Sequence, residues 1–223
     1  KLRGAFNAMH KVLERDPAQQ LFVAASAGNH AQGMAFVCRH FGVRGVIFMP
    51  VTTPEQKIMK TRTFGGDQVE IRLTGDYVDD TLAEAKAWCA EQGAHFLAPF
   101  DDPDVIEGQA SVAVELLAQA EAQGLGRPDL VVMPVGGGGL SAGMSGYFRE
   151  AAPGIACRYV EPQGGASLAA ALAEGAPVTL NTVDTFVDGA AVARIGAHTF
   201  EMLKGVDPAH LLAAPENRIC GTF

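Results

Sequence analysis

Cysteine is scarce in this sequence, and its few cysteines are scattered. The four of them, Cys38, Cys89, Cys157 and Cys220, form no CxxC pair and no ligand-type spacing with the six histidines. The sequence therefore lacks the signatures of a zinc site and of a disulfide scaffold. This pattern favours a reduced, cytoplasmic protein with packed thiols, and we expect no bound metal.

Positive charge is also in short supply. Lys and Arg total 17 against 25 Asp and Glu, which gives a formal net charge of -8. Because binding the phosphate backbone of a nucleic acid needs a dense positive stripe, this balance argues against a nucleic-acid partner. One long stretch without charge, residues 131–148, contains Pro134 and six glycines. A bilayer helix tolerates that composition poorly, so the stretch predicts a strand, a loop and a helix start, and no membrane partner.

Apolar residues make up 48% of the chain and charged residues 19%, a balance typical of a globular protein with a sizeable core. Short apolar runs that predict strands alternate with stretches of helical periodicity. Between two of the strands, Thr53, Pro54 and Gln56 have the order of a capping box that begins a helix. The alternation predicts an α/β fold with mainly parallel sheets and helices on both faces. The predicted strands are residues 21–26, 43–50, 69–73, 95–100, 130–135 and 157–160.

Two loops follow predicted strands at the edge where parallel sheets bind ligands. The segment Ser26-Ala27-Gly28-Asn29-His30 opens a helix, so its N–H groups and the helix dipole suit an anion such as a carboxylate. An ordinary Ser/Asn helix cap is the alternative. The segment Gly136-Gly137-Gly138-Gly139-Leu140-Ser141 joins a nearly pure apolar strand to a helix. Four consecutive glycines carry a high entropic cost, which favours a phosphate cradle of backbone N–H groups over a flexible turn.

Three further positions are weaker candidates. His30 could simply satisfy a helix N-terminus. Glu161 follows a strand and could hold a cation or only cap that strand. The pair Asp188-Gly189 could line a pocket or form a turn. No Ser/His/Asp or Cys/His set can be assembled by spacing.

Three motifs together resemble the fold type II pyridoxal-phosphate enzymes. Residues 1–5 are similar to the end of the family's S-F-K-x-R-G-A motif, and residues 26–33 to its S-x-G-N-H-x-Q-G segment. Residues 136–140 resemble its tetraglycine phosphate loop. The order and separations fit as well, and the details are most similar to the threonine dehydratases. The resemblance implies a two-lobed α/β fold, like that of the tryptophan synthase β chain, and the cofactor pyridoxal 5'-phosphate.

The resemblance also implies roles for single residues. Lys1 matches the lysine that forms the Schiff base with the cofactor, and Asn29 matches a residue hydrogen-bonded to its 3′-hydroxyl. Gly189 matches a residue beside the pyridine ring. Glu161 matches a position that helps to hold a cation in some relatives, but the second ligand position falls on Ser167, which argues against a divalent site. The implied phosphate donors are Gly136, Gly137, Gly138, Gly139 and Leu140, and the implied substrate-carboxylate loop is Ser26, Ala27, Gly28, Asn29 and His30.

The activity implied is that of an ammonia-lyase that converts L-threonine to 2-oxobutanoate and ammonia in isoleucine biosynthesis. Lys1 would remove the Cα proton of this amino-acid substrate. Serine racemase-like relatives carry a serine that can reprotonate Cα where this chain has Ala27, which favours elimination over racemisation. The alternatives are another fold type II enzyme, such as a serine dehydratase, a racemase or a β-replacement enzyme, and a non-catalytic phosphate-binding α/β module.

The organisation of the family predicts a smaller lobe over residues 21–100. A larger cofactor-binding lobe would combine residues 1–20 with residues 101–223. Relatives usually assemble as homo-oligomers, dimers or tetramers. The family also has a segment before the lysine and a residue at the pyridine nitrogen that would lie beyond Phe223, so we expect these residues to be part of a longer enzyme.

Overall fold

The computed structural model describes residues 1–76 and 78–222, without the side chains of Val78 and Asp79. These residues form two compact units, Lys1–Pro99 and Phe100–Phe223. The first twenty residues belong to the first unit, where their helix packs against the helix that follows the first strand. The division of the complete protein into the two predicted lobes stays a prediction.

The first unit contains the strands β1 (Leu21–Ala25), β2 (Arg44–Met49), β3 (Val69–Leu73) and β4 (His95–Phe96), and the helices α1 (Leu2–Arg15), α2 (Asn29–Phe41), α3 (Glu55–Gly65) and α4 (Val78–Glu91). The strands form a parallel sheet in the order β3-β2-β1-β4. One face of β2 packs on α4 through Val46 and Phe48. Gly45 lies on the other face against α2, where an added Cβ would be 2.7 Å from the Cys38 sulfur. Helices therefore cover both faces of this sheet.

The second unit contains the strands β5 (Leu130–Pro134), β6 (Ala156–Pro162) and β7 (Leu211–Ala214), and the helices α5 (Pro103–Ala122), α6 (Gly139–Ala151), α7 (Ser167–Glu174), α8 (Ala197–Leu203) and α9 (Glu216–Cys220). The strands form a parallel sheet in the order β5-β6-β7. Side chains of β5 alternate between the two faces of the sheet. Val131 and Met133 are buried in the core that includes α6, whereas Leu130 and Val132 on the opposite face are exposed.

The structure confirms the predicted alternation of parallel strands and helices and corrects it in three places. The fourth predicted strand pairs only over His95–Phe96. The strand β7 was not predicted. The Thr53 hydroxyl donates to the Pro50 carbonyl at 2.7 Å and does not cap α3, whose N-cap is Pro54.

The remaining predictions concern the cysteines and the long uncharged stretch. All four cysteines are free thiols, as expected, but Cys220 is exposed and not packed. Residues 131–148 form a strand, a loop and a helix start, as predicted. Within the described ranges, no helix combines the length and the apolar character needed to cross a membrane.

Asp102 provides a test of how α5 is stabilised. Its Oδ1 accepts hydrogen bonds from the N–H groups of Asp104 at 2.8 Å and Val105 at 3.1 Å, and it caps a helix of 20 residues. In the full-length protein, Asp102→Ala should lower the free energy of unfolding by about 1 kcal/mol, measured by urea denaturation. Asp102→Asn keeps an acceptor oxygen and should lose less. Equal losses for the two variants would contradict the capping role.

Candidate functional site

Lys1 is held at the start of α1. Its Nζ donates a hydrogen bond to the Pro99 carbonyl at 2.7 Å. The start of α1 approaches α2 closely because Gly33 has no side chain, and an added Cβ would lie 3.3 Å from the Leu2 Cα. Gly33 is the last residue of the S-x-G-N-H-x-Q-G segment. That glycine therefore sets the position of the backbone that carries Lys1.

The electrostatic surroundings of the Lys1 amine favour its neutral form. Although the residue as a whole is exposed, protein atoms displace water from around the amine. This burial lowers the pKa of the Lys1 side chain from its usual 10.5 to about 8. A neutral amine can attack a carbonyl or accept a proton, and a protonated one can do neither. Lys1 is thus suited to nucleophilic or base chemistry near neutral pH.

The loop after β1 presents N–H groups at the beginning of α2. Gly28 is the N-cap of α2, and its own N–H is occupied by the Ser26 hydroxyl, which accepts it at 3.2 Å. The first turn comprises Asn29, His30 and Ala31, and in the part of the chain that the structure describes their N–H groups have no acceptor. Such a turn binds a carboxylate readily.

The His30 side chain points into the protein rather than toward an anion. Its Nε2 lies 2.9 Å from the Leu97 carbonyl, and since a carbonyl can only accept, Nε2 carries the hydrogen. Burial lowers the pKa of His30 to about 4, so the ring is neutral. Its Nδ1 is buried and has no partner among the described residues. The His30 side chain therefore does not satisfy a helix N-terminus, which was the alternative left open by the sequence, and only its backbone N–H can donate to a carboxylate.

The second loop, residues 136–139, is packed tightly against its own unit. A Cβ at Gly137 would overlap the Phe100 ring, and one at Gly138 would lie 2.9 Å from the Thr199 side chain. Gly136 lies against the backbone of Ala190, where an added Cβ would be 3.1 Å away. Gly138 also has a φ of +88°, which disfavours any side chain. The glycines are needed because the protein fills the space that side chains would take.

The N–H groups of this loop are unpaired. For residues 136–141, no acceptor is found among the residues that the structure describes, although Gly137, Gly138 and Gly139 are buried. The Ser141 hydroxyl donates to the Pro134 carbonyl at 2.8 Å and fixes the first turn of α6 to the end of β5. Unpaired buried N–H groups are costly, and those of residues 139–141 lie in the first turn of α6, a place that suits an anion. This donor set fits a phosphate group.

Gly189 lies close to this loop in the fold. It belongs to a turn in which the N–H groups of Ala190 and Ala191 donate to the Val187 carbonyl at 3.0 and 2.9 Å. Ala190 contacts Gly136, so the turn packs against the glycine loop. A Cβ at Gly189 would meet nothing within 4 Å, which leaves open space at this position.

Glu161 caps a helix rather than a strand. Its carboxylate accepts hydrogen bonds from the N–H groups of Leu168 at 2.7 Å and Ala169 at 2.9 Å, at the beginning of α7. Burial raises its pKa, and the two backbone donors partly oppose that shift. The nearby Ser167 hydroxyl is buried without a partner among the described residues. Across the described ranges, no group of three or more His, Cys, Asp or Glu side chains is arranged to hold a metal ion.

Sequence reasoning missed the residues that support the glycine loop. Phe100 packs on Gly137, and Thr199 donates its hydroxyl hydrogen to the Gly137 carbonyl at 2.8 Å. Asp101 caps the helix that carries Thr199. The spacing of residues along the sequence does not indicate these contacts, since Thr199 lies 62 positions from Gly137 and only the fold brings the two together.

Comparison with known proteins places these features in a family. Residues 1–220 match the family model for pyridoxal-phosphate dependent enzymes. The biosynthetic L-threonine dehydratase IlvA of Bacillus subtilis (strain 168) is 44% identical over 220 residues, which are 99% of this chain and 51% of that protein. The chain therefore spans about half the length of the curated relatives it matches.

Two solved structures match the fold of this chain about equally well but differ in their sequence identity to it. The processed form of threonine deaminase isoform 2 from Solanum lycopersicum is 40% identical, with a TM-score of 0.86 over 96% of this chain and 60% of that chain. Maize serine racemase is 26% identical, with a TM-score of 0.84 over 99% of this chain and 64% of that chain. With a family match that extends from the lysine at position 1 through both loops, the chain belongs to the pyridoxal-phosphate dependent enzymes.

Proposed function

We propose that the protein is a pyridoxal-phosphate dependent ammonia-lyase that converts L-threonine to 2-oxobutanoate and ammonia, as a step of isoleucine biosynthesis. The observation that carries the proposal is the buried glycine loop of the second unit, whose N–H groups are unpaired among the described residues. The lowered pKa of the Lys1 amine in the first unit supports it. The identity of 44% to a threonine dehydratase, against 26% to a serine racemase, supports threonine as the substrate.

The residues of the site suit the parts of pyridoxal phosphate. Lys1 would hold the cofactor through its amine, and the backbone N–H groups of residues 136–140 would hold its phosphate. Asn29 would donate to the 3′-hydroxyl, and the open space at Gly189 would leave room for the ring. When bound, the cofactor supplies an electron sink that stabilises negative charge at the substrate Cα.

The chain's own residues would bind the substrate and move its protons. The N–H groups of Asn29, His30 and Ala31 would bind the carboxylate and orient the Cα–H bond. The Lys1 amine, at the stage when it is free and neutral, would accept the Cα proton. The β-hydroxyl would leave as water, and one water would be consumed when ammonia is released, so that threonine yields 2-oxobutanoate and ammonia in balance.

Removal of the Lys1 amine tests how the cofactor is held. In the full-length protein, Lys1→Ala should abolish the visible absorption band of lysine-bound pyridoxal phosphate and reduce ammonia release at least about a hundredfold, because base and attachment point are lost together. Lys1→Arg is the matched control, since it keeps the positive charge but cannot condense with an aldehyde, and it should fail in the same way. A band that survives in either variant would place the attachment at another lysine.

The lowered pKa of Lys1 predicts a pH dependence for cofactor attachment. The reactive neutral amine is present above its pKa and is lost as the pH falls through it. The rate at which the visible band forms on adding pyridoxal phosphate to the cofactor-free enzyme should therefore rise with a midpoint near pH 8. An N-acetyl-lysine amide treated in the same way should show its midpoint more than about two pH units higher. A protein midpoint equal to that of the free amide would contradict desolvation of Lys1.

Product analysis distinguishes elimination from racemisation. L-Threonine should give 2-oxobutanoate and ammonia in equal amounts, and L-serine should give no D-serine, because Ala27 has no proton to return to Cα. Ala27→Ser supplies a hydroxyl at that position and is the matched variant, in which D-serine should appear. D-Serine from the unaltered enzyme would contradict the proposal. Absence of both the visible band and the products would instead indicate a non-catalytic phosphate-binding module.

A homo-oligomeric assembly, as a dimer or tetramer, and a cytoplasmic location stay predictions from the family resemblance. The amino-acid substrate is consistent with the names of the threonine-processing relatives.

A further inference from the structure

Thr199 lies directly behind the glycine loop. It is fully buried in α8, and its hydroxyl donates to the Gly137 carbonyl at 2.8 Å. The Gly196 carbonyl, at 3.1 Å, is the second acceptor within reach of the same hydroxyl. A Cβ at Gly138 would lie 2.9 Å from both the Cβ and the hydroxyl oxygen of Thr199. The Gly196 N–H is a second, longer donor to the Gly137 carbonyl, at 3.5 Å. This side of the loop therefore lies on Thr199 and on the start of α8.

The hydrogen bond to the Gly137 carbonyl determines the direction of a neighbouring donor. The peptide between Gly137 and Gly138 is planar and trans, like every peptide bond of the described residues. In a trans peptide the C=O and the following N–H point in opposite directions. A carbonyl held on Thr199 thus directs the Gly138 N–H away from α8, to the side where the loop has no acceptor of its own.

Asp101 fixes the helix that carries Thr199. Its carboxylate accepts hydrogen bonds from the N–H groups of Ala197 at 2.9 Å, His198 at 2.8 Å and Thr199 at 3.3 Å. A side chain at Gly196 would overlap the same carboxylate, so α8 begins against Asp101. A helix of only seven residues has little stability of its own and depends on such a cap. The contacts are continuous: Asp101 caps α8, which carries Thr199, and Thr199 donates to the Gly137 carbonyl.

We propose that Thr199 is a positioning residue for phosphate recognition: by holding the Gly137 carbonyl, it directs the Gly138 N–H at the cofactor phosphate. This inference rests on the proposed function, since it assumes that the loop binds the phosphate of pyridoxal phosphate. Its effect is confined to the phosphate and does not extend to the attachment through Lys1.

The test compares a ligand that carries the phosphate with one that lacks it. The full-length enzyme, freed of cofactor, is titrated with pyridoxal 5'-phosphate and with pyridoxal, and binding is followed by the visible absorption band. Thr199→Val removes the hydroxyl at nearly constant volume and should weaken pyridoxal phosphate binding about three- to tenfold. Pyridoxal binding should not change. Thr199→Ser keeps the hydroxyl and should restore phosphate-dependent affinity.

Ser145→Ala is the matched control for loss of a buried hydroxyl in the same unit. The Ser145 hydroxyl donates to the Ser141 carbonyl at 2.5 Å, within α6 and not to the loop. This variant should lower stability toward urea without changing the ratio of the two affinities. If Thr199→Val does not fold, Asp101→Asn weakens the cap of α8 and should give a smaller loss of the same phosphate-dependent kind.

The outcomes separate the two proposals. If Thr199→Val weakens the binding of both ligands equally, or weakens the binding of neither, the positioning role is overturned while the proposed function stands. Failure of the unaltered enzyme to bind pyridoxal phosphate would overturn the proposed function, and the inference with it.

Discussion

The site depends on a division of the glycine loop into two sides. On one side, Phe100, Thr199 and Ala190 fill the space where glycine side chains would begin. The Gly137 carbonyl, on the same side, accepts the Thr199 hydroxyl. The other side keeps its N–H groups without acceptors among the described residues. Because one peptide unit carries both a donor and an acceptor, satisfying the acceptor within the protein is what leaves the donors pointed at a ligand. A run of glycines without such backing would be a mobile turn and not a binding site.

The two units contain the same local arrangement, for which we propose different anions. In each, a parallel strand runs into a short loop and then into a helix whose first turn has unpaired N–H groups: β1 leads to α2, and β5 leads to α6. The loop before α2 uses the Ser26 hydroxyl to occupy one of its own donors, which leaves fewer for a ligand. The loop before α6 uses none of its donors internally. The smaller set suits a carboxylate and the larger set suits a phosphate, which carries more charge and more acceptor atoms.

Much of the fold could be predicted from the sequence, and the errors have local causes. Apolar periodicity indicated the strands of both parallel sheets, and the fold type II class inferred from three motifs is confirmed. The segment 95–100 is apolar after His95, yet its strand ends at Phe96 because the carbonyls of Leu97 and Pro99 accept hydrogen bonds from the side chains of His30 and Lys1. Periodicity carries no information about such partners. The strand β7, at Leu211–Ala214, is too short and too uniform to alternate.

The same limit applies to the site itself. Motif residues can be recognised from their neighbours in the chain, but the pKa of Lys1 depends on groups that the fold brings from far away. Pro99 meets the amine with a carbonyl, which accepts a hydrogen bond without a formal negative charge. A carboxylate at that place would favour the protonated amine and oppose the lowering that burial causes. His30, kept neutral by burial, likewise adds no charge beside α1. The His30 side chain therefore holds the Leu97 carbonyl, two residues before the carbonyl that meets Lys1, and only the backbone N–H of this histidine is left for a substrate carboxylate.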